Sequence, residues 1–423
     1  MWVTDARLVL PDRVIERGAL RITDGRIANI VDGPAPGPAI NARGLTVLPG
    51  LIDVHGDMLE RDMEPRPKVR FPIDLVVHEL DKRLAATGIT TAFAAISLDW
   101  PGTTQRLRSS EQARSIITTL HDLRPSLLTD FLVHVRFEIT VPQAGEFLAS
   151  MLAADEVHLV SLTDHTPGQG QYRDIEKYIK TMQEWHRDKD GVHLTEDEMR
   201  QRIVDRTRPV GWQVVNDVAR IARERKVTLA SHDDDTPEKV ALMADLGASI
   251  SEFPVSLEAA EAARSSGLHV VMGAPNALRG ASHSGNLSAL EGIAAGVVDT
   301  LASDYFPAAM LHAVLTIADK GLLPLPDAVK LVTLNPADGV GLTDRGALEV
   351  GRLADLTLVE NPEGGRARVR ATFRHGAPIF WDRRMAELNR GLIPPYPHNG
   401  VGLTEASDEL AAAVESQANH QHV

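Results

Sequence analysis

The chain has 423 residues, a net charge of −14, 43 % hydrophobic and 4 % aromatic residues, and no cysteine. That length suits a barrel-sized domain plus a satellite, and the missing cysteine excludes disulfides and thiolate metal sites. The acidic balance argues against nucleic-acid binding, which needs a broad basic surface. No apolar run approaches the roughly 20 residues that span a bilayer, and Met1-Trp-Val-Thr-Asp5 lacks the basic-then-apolar pattern of a signal peptide. A cytoplasmic protein with no membrane partner is expected.

Residues 1–50 alternate in short pieces: Arg7–Leu10, Gly18–Thr23 and Arg26–Val31, with Asp24-Gly25 as a hairpin signal between the last two. From residue 51 the pattern changes. Eight apolar, β-rich runs follow: Leu51–Val54, Ile89–Ile96, Phe131–Glu138, Val157–His165, Val227–His232, Ala248–Glu252, Leu268–Met272 and Val298–Asp304. Helical patterns such as Val76–Thr87, Thr236–Gly247 and Gly285–Ala295 separate most of them. Strands alternating with helices imply parallel pairing, and eight such units predict an α/β fold of the (β/α)8 type over residues 51–344. Between His165 and Val227 one connection is unusually long, with helical stretches Asp174–Arg187, Thr195–Arg206 and Pro209–Arg225 and a capping-box pattern at Thr195–Glu198. It reads as a contact in a homo-oligomer, as a lid over the site, or as both.

After the barrel come Gly346–Gly351, Ala354–Val359, Val369–Phe373 and Ala377–Phe380. Neither β-rich flank is long enough to bury a core alone, so 1–50 and 345–385 are expected to share one small β-domain. Residues 386–423 read as an appendage, with a short helix at Leu410–Val414 and disorder over Gln417–Val423.

The first barrel strand ends in His55-Gly56-Asp57. Residues two apart on a strand share a face, so an imidazole and a carboxylate converge there, as a divalent metal requires. Glu138, His165, His232 and Asp304 also fall at strand C-terminal ends, where barrel active sites lie. Three imidazoles and three carboxylates suffice for two ions, and zinc, manganese or iron suit that donor set. Glu252 and Asp233 are rival carboxylates to Glu138. His134, His158 and His269 read first as hydrogen-bonded histidines of the scaffold. His283 lies in Gly280-Ala-Ser-His-Ser-Gly-Asn286, which is either a phosphate-contacting loop or a plain turn. Candidate cations for an anionic small-molecule substrate are Arg66, Lys68 and Arg70 in the loop after the first strand, with Arg136 and Arg279.

Pro49–His55, Asn335-Pro-Ala337 and Gly351-Arg-Leu-Ala-Asp355 resemble the amidohydrolase superfamily of metal-dependent hydrolases. The resemblance implies a barrel with a β-sandwich built from both chain ends. The superfamily usually carries H-x-H on its first strand, so His-Gly-Asp is a departure. That departure, with Asp164–Gln169, Ser231–Asp234, Glu252–Pro254, Gly280–Asn286 and Ser303–Pro307, resembles one branch. Its members are the diphosphatases of the carbon–phosphorus lyase pathway, which act on α-D-ribose 1-methylphosphonate 5-triphosphate. The resemblance implies that Glu138 bridges two metals and that Asp304 is both ligand and general base. Hydrolysis of a C–N bond by the same fold is the alternative, and a non-catalytic scaffold is disfavoured because all six positions carry competent donors.

Overall fold

The computed structural model describes residues 1–66, 69–98, 109–190, 194–207, 209–282, 285–362 and 365–390, together with Ala412. The expected C-terminal helix and tail therefore lie outside the described residues, Ala412 apart.

Both ends of the chain enter one eight-stranded sheet. Its strands are β1 (Trp2–Val9), β2 (Val14–Thr23), β3 (Arg26–Asp32), β4 (Ala39–Asn41) and β5 (Thr46–Pro49) from the N-terminal end. Eight barrel strands, described below, intervene, and β14 (Leu356–Glu360), β15 (Arg368–Arg374) and β16 (Ala377–Trp381) complete the sheet. The order is β16-β15-β14-β5-β1-β2-β3, with β4 also pairing β1. The two ends meet where β14 runs antiparallel to β5, Leu358 opposite Val47. Val3, Leu8, Leu20, Ile22, Leu356, Leu358 and Phe373 form a common core, so neither end buries its apolar face alone.

The second sheet is an eight-stranded barrel of β6 (Leu51–Gly56), β7 (Ile89–Leu98), β8 (Asp130–Glu138), β9 (Leu159–Thr163), β10 (Thr228–His232), β11 (Ile250–Glu252), β12 (His269–Gly273) and β13 (Thr300–Ala302). All consecutive pairs are parallel. The last strand meets the first at a parallel bridge between Gly56 and Asp304. There the Asp304 N–H donates to His55 O at 2.9 Å and the Asp57 N–H donates to Asp304 O at 2.7 Å. Each strand contributes to an apolar plug on the axis: Ile52, Val54, Phe93, Leu132, Leu159, Ala230, Ile250, Val271 and Ala302. A separate, larger cluster packs the outer strand faces against the helices. Both faces are buried, which is why these strands read as near-continuous apolar runs.

The plug sets the register of everything above it. With a period of two, Leu132 is followed on the inner face of β8 by His134, Arg136 and Glu138. Ala230 is followed by His232, and Ile250 by Glu252. In β6 the pairing slips between Asp53 and Gly56, which re-aims His55.

The terminal sheet docks on the opposite, N-terminal end of the barrel. Thr357 and Thr372 donate to the carbonyls of Gly88 and Ala85 at 2.8 and 2.7 Å, and buried Arg345 reaches Asp130 at 2.9 Å. Gly88 is required there: its φ is +86°, and a Cβ would lie 2.5 Å from Thr357 Cγ2. The long connection carries the helices Ile175–Asp190, Glu196–Arg206 and Trp212–Glu224. The capping box at Thr195 and Glu198 forms as its pattern implies. Among the described residues no helix is long and apolar enough to cross a membrane.

Candidate metal centre and catalytic cleft

An open cleft occupies the C-terminal end of the barrel. Its wall includes His55, Asp57, Arg136, His232, Asp233 and Asp304 at the base, with Gln171, Asn276, Arg279 and Tyr305 above.

Three strand ends share one conformation. Asp233, Phe253 and Asp304 have φ of 53°, 53° and 54°, in the left-handed region that non-glycine residues seldom enter. In each the amide donates to a neighbouring strand, Asp233 to Glu252 O, Phe253 to Val271 O and Asp304 to His55 O. Such a conformation costs on the order of 1 kcal/mol or more per residue and persists where the surroundings over-determine it. Here it keeps the strand-end side chains at the mouth.

Two groups of donors result. In the first, atoms of His55, His134 and Glu252 lie within 4.8 Å of one another; in the second, those of His165, His232 and Asp233 do. His55 Nδ1 is 3.1 Å from Glu252 Oε1, and its Nε2 is 3.5 Å from Asp57 Oδ1. Ser161 Oγ lies 2.6 Å from both His134 Nε2 and Glu252 Oε2, fixing the deepest imidazole against that carboxylate. His165 Nδ1 is 2.8 Å from Glu138 Oε2, and Thr140 donates to Glu138 Oε1 at 3.0 Å. The His55 and His232 rings are 5.5 Å apart, so the two groups adjoin.

These residues fit divalent cations. Nδ1 of His134 is buried without a hydrogen-bond partner, and Nδ1 of His55 and of His232 face carboxylate oxygens (Glu252 Oε1 at 3.1 Å, Asp233 Oδ2 at 3.2 Å) without hydrogen-bond alignment, an expensive condition unless something else claims them. The local field agrees. Burial opposes a charge on His55, yet Glu252 and Asp57 carry its pKa up to about 10, so the site favours positive charge at that point. Burial likewise opposes the Glu252 carboxylate, but His55 and His134 hold its pKa well below the usual range. His134 itself is driven down by burial to about 3 and stays neutral, as a metal ligand must. Asp304 is pushed up to about 6 by burial and then by the neighbouring Asp57 charge.

The nominated residues fare differently. His55, Asp57, His232 and Asp304 line the cleft, and Glu138 and His165 pair beside it. His134, Glu252 and Asp233 enter the donor groups as well; for His134 the signal was its inward register with Arg136 and Glu138. Arg279 lines the cleft, at the end of the helix Ala274–Arg279. Arg136 sits at its floor, its Nη1 3.1 and 3.0 Å from the two oxygens of Asp57 and its Nη2 3.3 Å from His232 Nε2. Arg66 and Arg70 are exposed and form no part of the cleft wall; Arg70 pairs with Glu64 at 3.1 Å. Lys68 and His283 lie outside the described residues. The long connection does reach the site: Gln171 lines the cleft, Tyr172 stands 6.2 Å from the His165 ring, and the Gly170 N–H donates to Asp235 at 2.8 Å.

A model described as the amidohydrolase family matches residues 134–380. The alpha-D-ribose 1-methylphosphonate 5-triphosphate diphosphatase of Escherichia coli (strain K12) is 36 % identical over 387 residues, covering 90 % of this chain and 100 % of that protein. A dihydroorotase of Geobacter sp. (strain M21) is 27 % identical, over 85 % of this chain and 89 % of its own. Among solved structures, N-acetyl-D-glucosamine-6-phosphate deacetylase from Mycobacterium smegmatis superposes with a TM-score of 0.61 at 17 % identity, covering 90 % of this chain and 100 % of that one, a likeness of fold alone. With the barrel, the sheet shared by both chain ends and a His and carboxylate donor set at the strand ends, the chain belongs to the amidohydrolase family.

Proposed function

We propose that the protein is a metal-dependent diphosphatase of phosphonate breakdown, hydrolysing α-D-ribose 1-methylphosphonate 5-triphosphate to the 5-phosphate and diphosphate. The observation that carries this reading is the 36 % identity to the E. coli diphosphatase over that protein's whole length. His55, His134 and Glu252 would hold one divalent ion and His165, His232 and Asp233 a second, with Asp57, Glu138 and Asp304 adjoining. Zinc, manganese or iron suit these donors. When bound, such ions supply Lewis acidity toward water and toward phosphoryl oxygens.

The chain's own residues divide the remaining work. Asp304 is at the cleft wall with a pKa near neutrality, as a general base requires, and takes the proton of the attacking water. Asp57, Glu138, Asp233, Glu252 and Asp304 make the floor strongly acidic, so a triphosphate enters only with cations beside it. Among the described residues Arg136 and Arg279 bring guanidinium groups to the cleft, and their forks match phosphoryl oxygens. Gln171 offers a neutral amide along the same wall.

The likeness to dihydroorotases favours a second reading, hydrolysis of a cyclic amide. Incubation of metal-loaded protein with the ribose triphosphate and, separately, with dihydroorotate distinguishes them. Phosphorus NMR should show diphosphate released from the first and no ring opening of the second. Turnover of dihydroorotate without release of diphosphate would replace the proposal with the amide reading.

A further inference from the structure

A permanent cation stands among the donors. Arg136 projects from the inner face of β8, its side chain only 12 % exposed. Its Nη1 binds both oxygens of Asp57, which itself lies 3.5 Å from His55 Nε2 in the first donor group. Its Nη2 lies 3.3 Å from His232 Nε2 in the second. Its Nε is buried without a partner, so one donor of the fork remains uncommitted. Burial disfavours the charge, but Asp57 and Glu252 keep the guanidinium protonated.

We propose that Arg136 is a resident cation of the metal centre: paired with Asp57, it restrains divalent-ion binding at the adjoining donors and turns toward phosphoryl oxygens when a polyphosphate enters. This rests on the reading of the two donor groups as metal sites. The physical basis is direct. A guanidinium in hydrogen-bonding reach of His232 repels any ion held there, and it neutralises the carboxylate nearest His55. In a partly buried site, repulsion over a few ångströms is weakly screened and large compared with thermal energy. A polyphosphate reverses the balance by bringing negative charge to the free side of the fork. The aspartate of His-Gly-Asp thereby serves to recruit an arginine into the floor of the cleft.

The test reads metal affinity directly. Apo-protein is titrated with Mn²⁺ by calorimetry, in wild type, Arg136→Gln and Arg136→Lys, and each is then titrated with inorganic tripolyphosphate. Glutamine fills the space and still donates to Asp57 without the charge; lysine keeps the charge without the fork. Arg136→Gln should bind Mn²⁺ roughly tenfold more tightly or better and tripolyphosphate roughly tenfold more weakly. Arg136→Lys should keep wild-type Mn²⁺ affinity. A purely structural arginine predicts that both affinities fall together in Arg136→Gln. Unchanged or weakened Mn²⁺ binding in Arg136→Gln, with a cooperative thermal transition showing it folded, would overturn the proposal. Failure of the diphosphatase reading would appear elsewhere, as absence of diphosphate release in wild type, and would leave the metal comparison intact.

Discussion

Acid should weaken this barrel through one histidine on the side away from the cleft. His158 lies just before β9, where its Nδ1 accepts the Val133 N–H at 3.1 Å and its own N–H donates to Val133 O at 2.9 Å. Its Nε2 faces Arg124 Nη1 at 3.5 Å. Protonating the ring would break the first bond and set two cations together. Burial, and then Arg124, accordingly lower its pKa from 6.5 to about 4. Between those values the unfolded chain binds a proton that the folded one refuses, so stability is full above pH 6.5 and drains away as pH falls toward 4. At about 1.4 kcal/mol per pH unit the gap amounts to about 3 kcal/mol, and partial exposure of the ring trims it to about 2–3 kcal/mol. His158→Asn supplies an acceptor that does not titrate. Urea unfolding of metal-stripped protein from pH 7.5 to 4.5 should show the variant gaining about 2 kcal/mol relative to wild type across the range. A wild-type-minus-variant difference that is flat with pH would refute the reasoning.

Three further outcomes are expected. Asp304→Asn should lower kcat by roughly 10²–10⁴ while metal content stays constant, because its main chain is held by His55 and Asp57 whatever the side chain; near-normal turnover would move the general base elsewhere. Arg279→Ala should reduce kcat/KM for the triphosphate by about 1.5–3 kcal/mol, whereas Arg66→Ala, outside the cleft wall, should change it less than about threefold; steady-state kinetics on both variants ranks them. Gly50→Ala should destabilise the fold by about 2–3 kcal/mol, because a Cβ there would lie 2.2 Å from Thr90 Oγ1 while the Gly50 N–H is tied to Asp355 O at 2.8 Å, and an unchanged denaturation midpoint would contradict it.

Local pattern carried most of the architecture. Most barrel strands announce themselves by an apolar run ending in His, Asp or Glu, and the hairpin at Asp24-Gly25 joins β2 to β3 as its turn chemistry requires. The donors were partly legible for the same reason: a period of two places His134, Arg136 and Glu138 on one face once Leu132 is known to point inward. What a linear pattern does not carry is which residues meet across the axis. Arg136 and Asp57 are 79 positions apart, and only closure of the barrel puts the guanidinium against that carboxylate rather than against solvent. The rivalry among Glu138, Glu252 and Asp233 has the same origin, since all three end strands and only cross-barrel distances group them. For the loop with Arg66 and Arg70 the limit is a different one. Proximity in sequence to His55 does not fix direction: the Val69 N–H donates to Arg66 O at 3.0 Å, and Arg70 pairs with Glu64.

The acidity of the floor has a consequence for how any polyanion binds. Metal ions and a polyphosphate each neutralise what the other cannot tolerate, so their affinities for the site are linked, and linkage is reciprocal. If an oligophosphate tightens metal binding by a given factor, metal must tighten oligophosphate binding by the same factor. As a resident cation, Arg136 would help set the size of that factor, since its guanidinium is a positive charge already present among the carboxylates before either arrives. A neutral cyclic amide brings no charge to trade and would leave metal affinity nearly unchanged. Coupling between metal and ligand therefore separates phosphoryl from acyl substrates by binding alone, without a turnover being measured. Metal affinity that rises with tripolyphosphate and ignores a neutral cyclic amide such as dihydrouracil is the outcome expected of this site.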